Sequence, residues 1–502
     1  MKKEEKCQDI NSKLLEPQYI IFIVIDALRA RNLSCYGYAK LTSPNIDNLA
    51  KEGILFEDAY ATINATDPSL TTIFSGMYPF SHGILNHGMR ISEKEIQFFL
   101  KSRIRLLPEI LRLEGYTTFA IDFLGRWHKK GYDYYSGIQQ NKFFQGGLAT
   151  KKHPKVNKLL NSGKLVIKKL PWENIQFFIS NVYNKFFTVK PKYDDAKSIT
   201  ERAIEIVKEN LNKEFFLFLH YWDTHGPYDV PKNYTKRFYE KGGEKTKVVL
   251  SRFNNPEGRE IFKRRMRNAK TVNEIVSRYN GAINFVDHEI GRLVRTLEEY
   301  GVLDETLIIL TSDHGESLTE HGIYFDHHGL YDVSIHVPLI IRYPKKFPNN
   351  KRITGFVQHV DLAPTILDLL GIRTHNDFDG KSLMPLIYGK VKQLRSEVYI
   401  EEADAQRKRA IRNENYKYIY SLTGEKNICR LCGYAHGDAE ELFNLKHDPD
   451  ETQNIADENP EIVEELKSRL IKWIKCLEYK KFKKEKGMIK ERITKLKSSG
   501  KI

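Results

Sequence analysis

The sequence has little cysteine and no long apolar run. Its 502 residues include only 5 cysteines (Cys7, Cys35, Cys429, Cys432 and Cys476), and a small odd number does not suit the disulfide framework of a secreted domain. The longest apolar run, at 19–25, is far shorter than the roughly 20 residues that a membrane-spanning helix needs. The first 17 residues are polar and contain no apolar signal region. We therefore expect reduced cysteines and a cytoplasmic location.

The positive charge of the chain is not spread evenly. Lys and Arg number 80 against 65 Asp and Glu, a net charge of +15. Residues 467–502 contain 14 Lys and Arg against 3 Glu, so about 11 of the 15 excess charges lie there. Because the rest is close to balance, we expect no nucleic-acid partner. A basic C-terminal tail is most often a solvated helix. The alternative is peripheral binding to an anionic membrane surface, which each basic residue would stabilise by about 1 kcal/mol.

Short runs of β-branched and aromatic residues alternate with helical patterns along most of the chain. Apolar residues recur at helical spacing in 286–301 and 360–371, and both stretches end at a glycine. The alternation predicts an α/β fold with a large mixed, mostly parallel sheet sandwiched by helices. After Leu394 the pattern changes to alternating strands and an amphipathic helix, which predicts a smaller C-terminal α+β subdomain. The sequence shows no internal repeat.

These changes of pattern divide the chain into three parts. Residues 17–394 form the predicted α/β domain, residues 395–478 the C-terminal α+β subdomain, and residues 479–502 a basic tail. Within the α/β domain, residues 125–195 and 232–270 have weak periodicity and many lysines. We interpret these two segments as insertions.

Acidic residues and histidines follow three of the predicted strands. In open α/β sheets, ligands bind beyond the carboxyl ends of the strands, so such residues belong to one site. The first strand is followed by Asp26, a second by Asp223 and His225, and a third by Asp313 and His314. Carboxylate oxygen and imidazole nitrogen together can hold a divalent ion, either Mn, Ca, Mg or Zn. The sequence predicts one such ion, bound by Asp26, Asp313 and His314.

The stretch 64–79 is predicted to be a loop that leads into a helix. Pro68 suits the first helical turn, Asp67 can cap it and Gly76 can end it. Thr66 then stands just before the helix N-terminus, where free N–H groups and the helix dipole favour an anion such as phosphate or sulfate. A threonine hydroxyl is a poor nucleophile unless a base or a metal activates it. The predicted ion would supply that activation if it also contacts Thr66.

The chain contains nine short motifs, which are spread over most of its length. They are VIDALRARNLSCYGY, TSPNIDNLAKEGILFEDAYA, TDPSLTTIFSGMYPFSHGI, FLFLHYWDTHGPY, YNGAINFVDHEIGRL, LTSDHGESLTEHG, VPLIIRYP, VDLAPTILDLLGI and ELFNLKHDPDETQNIA. Together they resemble the sulfatase branch of the alkaline phosphatase superfamily. The resemblance implies that Asp26, Asp313, His314 and Thr66 bind the metal, and that Thr66 stands at the nucleophile position.

The resemblance also implies roles for several histidines. His225 matches a histidine that contacts the transferred group or protonates the leaving oxygen. His327 or His328 falls where relatives place a Lys or His against the same group, and the local spacing leaves both open; His321 is a weaker candidate for substrate binding. An alternative is a two-metal site, as in nucleotide pyrophosphatases, in which Asp223, His225 and one of the other histidines hold a second ion.

Two positions depart from the usual sulfatase pattern. Sulfatases of the usual type carry Cys or Ser, followed four residues on by Arg, and oxidise the first residue to formylglycine; this chain has Thr66 and Leu70. Threonine cannot become formylglycine. Many sulfatases also have a second Asp where Ala27 stands here. A threonine nucleophile resembles instead the phosphodiesterases and phosphate-headgroup transferases of the superfamily.

The leading hypothesis is a metal-dependent hydrolase of phosphate esters or phosphodiesters, or a phosphotransferase. Thr66 attacks phosphorus and forms a phospho-threonine intermediate, and His225 assists the leaving group as an acid. One alternative is a sulfate-ester hydrolase without formylglycine. Another is a non-catalytic binder of anionic headgroups or glycans. In each case the expected partner is a small-molecule, glycan or lipid-headgroup ester.

The C-terminal region contains a Cys-x₂-Cys motif with a histidine nearby. Cys429, Cys432 and His436 offer three ligands for zinc, and the sequence suggests only the distant His447 as a fourth. A structural zinc site needs four ligands. We therefore interpret the motif as an ordinary part of the fold.

Overall fold

The computed structural model describes residues 16–136, 195–240, 253–266, 269–374 and 377–498. Residues 137–194 of the first predicted insertion and residues 241–252, 267 and 268 of the second lie outside the described residues. The extents of these two insertions therefore stay predictions, as do the predicted bounds of the three parts of the chain.

The described residues contain two larger sheets and one small one. The strands are β1 (Tyr19–Ile25), β2 (Ile54–Phe56), β3 (Ala59–Tyr60), β4 (Thr117–Ile121), β5 (Tyr134–Ser136), β6 (Phe215–Tyr221), β7 (Thr306–Thr311), β8 (Leu339–Arg342), β9 (Lys351–Ile353), β10 (Val357–Gln358), β11 (Glu397–Glu402), β12 (Lys408–Asn413), β13 (Tyr416–Ser421) and β14 (Glu440–Asn444).

Helices connect and cover these strands. The α-helices are α1 (Pro44–Lys51), α2 (Thr66–Ser75), α3 (Pro79–His82), α4 (Glu93–Lys101), α5 (Leu107–Leu113), α6 (Ala196–Glu209), α7 (Lys232–Lys236), α8 (Pro256–Met266), α9 (Val272–Glu299), α10 (Asp332–Ile335), α11 (Leu362–Leu369), α12 (Met384–Ile387) and α13 (Pro460–Ser498). Short 3₁₀ turns lie at Ala30–Asn32, Ser34–Tyr36, Gly88–Arg90, Arg126–Lys129, Leu303–Glu305, Glu320–Gly322 and His359–Asp361.

The large sheet has eight strands in the order β5-β4-β6-β1-β7-β8-β2-β9. Five of its seven neighbouring pairs are parallel, and β8 runs antiparallel to both β7 and β2. The prediction of a mixed, mostly parallel sheet is therefore confirmed. The central strands are β6, β1 and β7, with Val24 of β1 paired to His220 on one side and Thr311 on the other.

Both faces of the large sheet are covered, which explains the unbroken apolar run of β1. Alternate side chains of a strand point to opposite faces. Phe22 and Val24 lie in a core with Leu70 and Phe74 of α2, whereas Ile23 lies in a second core with residues of α6 and α9. The helical layers on the two faces confirm the predicted α/β sandwich.

The C-terminal subdomain is a four-stranded antiparallel sheet, β11-β12-β13-β14, with α13 packed on it. Leu466 and Leu470 of α13 lie in an apolar cluster with residues of β12, β13 and β14. Helix α13 runs past residue 479, where the predicted basic tail begins, and continues through Ser498. Lys480 Nζ lies 2.7 Å from Asp379 Oδ1, so the start of the predicted tail contacts the α/β domain. No helix among the described residues is long and apolar enough to cross a membrane.

Candidate active site

Three neighbouring parallel strands end at the same edge of the large sheet. Asp26 follows β1 directly, and Asp313 and His314 follow β7 after one intervening serine. The Asp26 N–H donates to the carbonyl oxygen of Tyr221 at 2.8 Å, and the Ala27 N–H donates to Asp313 Oδ1 at 3.1 Å. The first bond extends the pairing of β1 with β6 by one residue. The second joins the residue after Asp26 to the Asp313 carboxylate, so the carboxyl groups that follow β1 and β7 lie close together.

Asp26, Asp313 and His314 form a fully buried cluster that fits a divalent ion. Their potential ligand atoms all lie within 4.8 Å of one another. His314 Nε2 lies 3.3 Å from Asp313 Oδ2 and 3.9 Å from Asp26 Oδ1. Among the residues that the structure describes, none forms a hydrogen bond with Asp26 Oδ1 or Asp313 Oδ2. A buried, unpartnered carboxylate oxygen is costly unless a cation meets it, so the donor set suits the predicted ion.

The two carboxyl groups of this cluster differ in proton affinity. Burial and the negative charge of Asp26 raise the pKa of Asp313. Burial acts on Asp26 in the same direction, but the hydrogen bond from His220 and the charges of His225 and His314 outweigh it and lower the pKa of Asp26. Two adjacent carboxylates repel each other when both are ionised. A divalent cation between the two carboxylates would remove that repulsion.

Thr66 lies in the same cluster. It is the first residue of α2, with Ala65 as the N-cap, and is buried. Thr66 Oγ1 lies 3.5 Å from Asp26 Oδ2 and 3.3 Å from His314 Nε2. Gly76 ends the helix in a left-handed conformation, as the sequence predicts. The structure thus brings together all four residues expected to bind the metal, with the hydroxyl at a helix N-terminus.

Asp67 does not cap α2, in contrast to the prediction. The helix begins two residues earlier than expected, at Thr66 instead of Pro68, so Asp67 lies inside its first turn. Its buried carboxylate forms an ion pair with Arg126, and it lies 3.1 Å from His128 Nε2 and 2.8 Å from His87 Nδ1. Burial would raise the pKa of Asp67, but hydrogen bonds from His128 and His87 and the charge of Arg126 hold it well below 3.8. Arg126, His128 and His87 therefore meet at the carboxylate of the residue that directly follows Thr66.

One further acidic residue at a strand end, Asp122, was not predicted from the sequence. Asp122 follows β4 directly, and its Oδ1 lies 2.8 Å from Nδ1 of His220. The other ring nitrogen of His220 lies 3.5 Å from Asp26 Oδ2. Burial would lower the pKa of His220, but hydrogen bonds to Asp122 and Asp26 raise it to about 10. The signal was present in the sequence, because Asp122 ends its strand as Asp26 ends β1.

His225 and His327 lie beside the cluster. The His327 ring is 4.1 Å from the His314 ring and 5.7 Å from the His225 ring, measured between ring centroids. His225 Nδ1 lies 3.0 Å from the carbonyl oxygen of Gly226, and its ring stacks on Trp222. Burial lowers the pKa of His225 to about 4 and that of His327 well below 6.5. Both imidazoles are therefore neutral near pH 7 in the free protein.

The other two candidate histidines lie elsewhere. His328 contacts the C-terminal subdomain rather than the cluster around Asp26, because its Nε2 lies 3.1 Å from Nε2 of His436. His321 stacks on Tyr331 at 3.6 Å, and the Tyr331 hydroxyl donates to Glu441 of the C-terminal subdomain. Adjacent residues in a loop point in different directions, so spacing alone could not separate His327 from His328. We do not assign His328 or His321 to the reaction.

The alternative second ion at Asp223 and His225 has no ligand set in the described part of the chain. There, His, Cys, Asp and Glu side chains form two groups close enough for an ion, and Asp223 belongs to neither. The Asp223 carboxyl group instead accepts a backbone hydrogen bond from Ala196 at the start of α6. We therefore do not propose a second ion at Asp223 and His225.

Comparisons with known proteins identify the family of the chain. The family model "Sulfatase" matches residues 18–372, and the model "N-sulphoglucosamine sulphohydrolase, C-terminal" matches residues 319–476. The chain is 25% identical to an N-acetylglucosamine-6-O-sulfatase of Bacteroides thetaiotaomicron, over 87% of this chain and 82% of that protein. It is also 25% identical to an arylsulfatase of Clostridium perfringens, over 90% of this chain and 93% of that protein.

Solved structures share the fold. One, a complex with its substrate D-glucosamine-2-N,6-O-disulfate, has a TM-score of 0.66 and 23% identity, covering 92% of this chain and 98% of the other. A phosphonate monoester hydrolase of Agrobacterium radiobacter has a TM-score of 0.65 and 21% identity, covering 92% and 96%. The family model alone spans more than two thirds of the sequence. The chain therefore belongs to the sulfatase family of hydrolases.

Proposed function

We propose that this protein hydrolyses sulfate esters, with the Thr66 hydroxyl as the attacking group. The observation that carries the proposal is the position of Thr66 Oγ1, 3.5 Å from Asp26 and 3.3 Å from His314 at the N-terminus of α2. The relatives with named activities are mostly sulfatases, so they favour sulfate esters over the phosphoesters expected from the sequence. Sulfated sugars are the substrate class that their names support.

Asp26, Asp313 and His314 would hold the divalent ion, with Thr66 beside them. Two carboxylates and one imidazole suit Ca, Mg and Mn, and also Zn. When bound, the ion would stabilise negative charge on the oxygens of the sulfate group. The N–H groups at the start of α2 would add to that stabilisation, because they lie next to Thr66 and have few partners within the helix.

The protein side chains account for the remaining chemistry. Thr66 Oγ1 forms a bond to sulfur as the bond from sulfur to the alcohol oxygen breaks, and Asp26 Oδ2 is placed to accept the Thr66 proton. Water then attacks the sulfur of the sulfated threonine, which releases sulfate and restores the hydroxyl. His225 is the candidate donor of a proton to the leaving alcohol. Because its pKa is about 4 in the free protein, it becomes an acid only when the anionic ester binds nearby and raises that pKa.

Phosphate esters are the second candidate, and the identity of residue 66 favours them. Sulfatases of the usual type release sulfate from a formylglycine hydrate, which threonine cannot form. Leu70, at the position of the usual arginine, is buried in the apolar core with Phe22 and Phe74, so α2 places no arginine there. Release of a phosphoryl group from threonine requires only attack by water on phosphorus.

Matched aryl esters would separate the two substrates. The purified protein is assayed with an aryl sulfate, an aryl phosphate, an aryl phosphodiester and an aryl phosphonate, with metal content measured in parallel. Sustained turnover of the sulfate supports the proposal. Release of a single equivalent from the sulfate, with sustained turnover of a phosphate ester, establishes the second candidate instead.

Variants at Thr66 test the nucleophile itself. Thr66→Val keeps the shape and removes the hydroxyl, whereas Thr66→Ser keeps the hydroxyl. We expect Thr66→Val to lose turnover of every ester while it keeps the bound metal, and Thr66→Ser to keep measurable turnover. Full activity of Thr66→Val would overturn the assignment. Asp313→Asn should lose both metal and activity.

A further inference from the structure

A second cluster of ligand-type side chains lies between the α/β domain and the C-terminal subdomain. The proposed reaction uses none of its members, which are His328, Cys429, Cys432 and His436. All four are buried, and their potential ligand atoms lie within 4.8 Å of one another. We propose that these four residues bind one structural zinc ion.

The ligand atoms of this cluster converge on one point. Cys432 Sγ lies 2.9 Å from His436 Nε2, and His436 Nε2 lies 3.1 Å from His328 Nε2. A cysteine sulfur and two imidazole nitrogens thus approach one another within the protein interior. Zinc binds Cys sulfur at about 2.3 Å and His nitrogen at about 2.0 to 2.1 Å in tetrahedral sites. A zinc ion between the two sulfurs and the two imidazole nitrogens would form four metal–ligand bonds in place of close contacts between these atoms.

The loop that carries the two cysteines is a tight hairpin. The Cys429 N–H donates to the Tyr434 carbonyl oxygen at 2.7 Å, and the Gly433 N–H donates to the Cys429 carbonyl oxygen at 2.8 Å. The Tyr434 N–H points at Cys432 Sγ at 3.4 Å, an arrangement that stabilises a thiolate. Gly433 has φ of +82°, and a Cβ there would lie 2.9 Å from Asn254. The turn therefore needs glycine directly after the second cysteine.

The carboxylate of Asp326 lies near the second ring nitrogen of His328. Asp326 Oδ1 lies 3.6 Å from Nδ1 of His328, and Asp326 Oδ2 pairs with Arg265 at 2.7 Å. Histidines that bind metals usually direct their second nitrogen to a carboxylate or a carbonyl group, which fixes the ring and leaves Nε2 for the metal. Asp326 lies on the Nδ1 side of His328, where such a carboxylate is expected, although at 3.6 Å it forms no hydrogen bond with that nitrogen.

The ligand types favour zinc and a structural role. Two thiolates and two imidazoles match the four-coordinate sites that zinc occupies in small folded modules. Because all four positions come from protein side chains, no position is left for substrate. The ion would join His328 of the α/β domain to a loop between β13 and β14, across 108 residues of sequence from His436. It would hold the C-terminal subdomain against the segment that carries His327.

The sequence alone could not supply the fourth ligand. His447, the only candidate it suggests, is exposed in a turn after β14. His328 lies about a hundred residues before the cysteines and comes into contact with them only through the packing of the two domains. Its adjacency to His327 made it a candidate for the reaction instead.

Metal analysis of the purified full-length protein tests the proposal. We expect one equivalent of zinc that Asp26→Asn retains and that Cys432→Ser and His328→Gln lose. Cys476→Ser, an exposed cysteine on α13, is the matched control and should keep the zinc. Cobalt substitution should give a thiolate-to-cobalt charge-transfer band in wild type and Asp26→Asn, and lose it in Cys432→Ser. These variants separate this site from the one at Asp26.

A second measurement does not depend on the folding of any variant. Modification of the wild-type thiols with an organomercurial should release one equivalent of zinc to a chromogenic chelator. Purification without chelators that yields no zinc and no cobalt-thiolate band would overturn the proposal. So would a Cys429–Cys432 disulfide in the intact mass of the freshly purified protein, or full retention of zinc in Cys432→Ser.

Discussion

The ion-pair network of Asp67 makes a strong prediction about stability. The substitution Asp67→Asn removes the negative charge that is shared by Arg126, His128 and His87. The carboxylate is fully buried, and the side chain of Arg126 is only 14% exposed. Removing one partner of a buried ion pair leaves an uncompensated charge and costs about 3 to 5 kcal/mol. Asparagine can still accept from the Gly88 N–H, which Asp67 Oδ2 accepts at 2.8 Å, so we expect the lower end, about 3 kcal/mol.

Urea unfolding followed by tryptophan fluorescence measures this loss. Asp450→Asn is the matched control, because Asp450 pairs with Arg31 at 3.0 Å but both side chains are about half exposed. Exposed pairs contribute about 0 to 1 kcal/mol, so the control should change the free energy of unfolding by less than that. A loss below about 1 kcal/mol for Asp67→Asn at pH 7 would refute the account of this network.

The pH dependence of this difference in the free energy of unfolding is an independent test of the Asp67 network. The pKa of Asp67 in the folded protein lies well below 3.8, so the folded state favours the ionised carboxylate. Its contribution is therefore complete above pH 3.8, the ordinary value, and is lost as the pH falls through the folded pKa. The difference between wild type and Asp67→Asn should shrink as the pH falls below 3.8. If the difference between the two free energies of unfolding stayed constant from pH 7 into the acid range, the ionised Asp67 carboxylate would not be its origin.

Three further substitutions test other parts of the structure. Leu70→Arg, which restores the usual sulfatase residue, should destabilise the protein by about 3 kcal/mol or more in urea unfolding, because it places a charge in the apolar core; a stable variant would contradict that packing. Gly76→Ala should cost about 1 to 3 kcal/mol in the same assay, since φ is +66° and the new Cβ would lie 2.5 Å from Phe378; an unchanged midpoint would count against this helix end. His220→Gln should weaken metal binding about 10- to 100-fold in a chelator competition, because His220 orients Asp26; unchanged affinity would exclude this role.

The strand ends were predictable from sequence because their signal is local. An apolar run followed directly by Asp26, or by Asp313 and His314, places those side chains at the carboxyl edge of a parallel sheet. The neighbouring position of β1 and β7 then brings them together. The C-terminal glycine of α2 was predictable for the same reason, since Gly76 satisfies a local backbone requirement.

Contacts set by packing between distant segments were not predictable. Because α2 begins two residues earlier than the sequence predicts, Asp67 does not cap the helix and instead forms the centre of an ion-pair network with Arg126 and His128. The directions of His327 and His328 depend on which domain each one meets. Likewise, Cys429 and Cys432 meet His328 only when the two domains pack, so no spacing rule in the sequence connects them.

The nature of the covalent intermediate tests the central claim most directly. Wild-type protein is mixed with an aryl sulfate, quenched early and digested, and the peptide 52–90 that contains Thr66 is analysed by mass spectrometry. We expect this peptide to carry one sulfuryl group on Thr66, and Thr66→Val to show neither the adduct nor turnover. Turnover of the ester by both proteins, with Thr66 unmodified throughout, would contradict it.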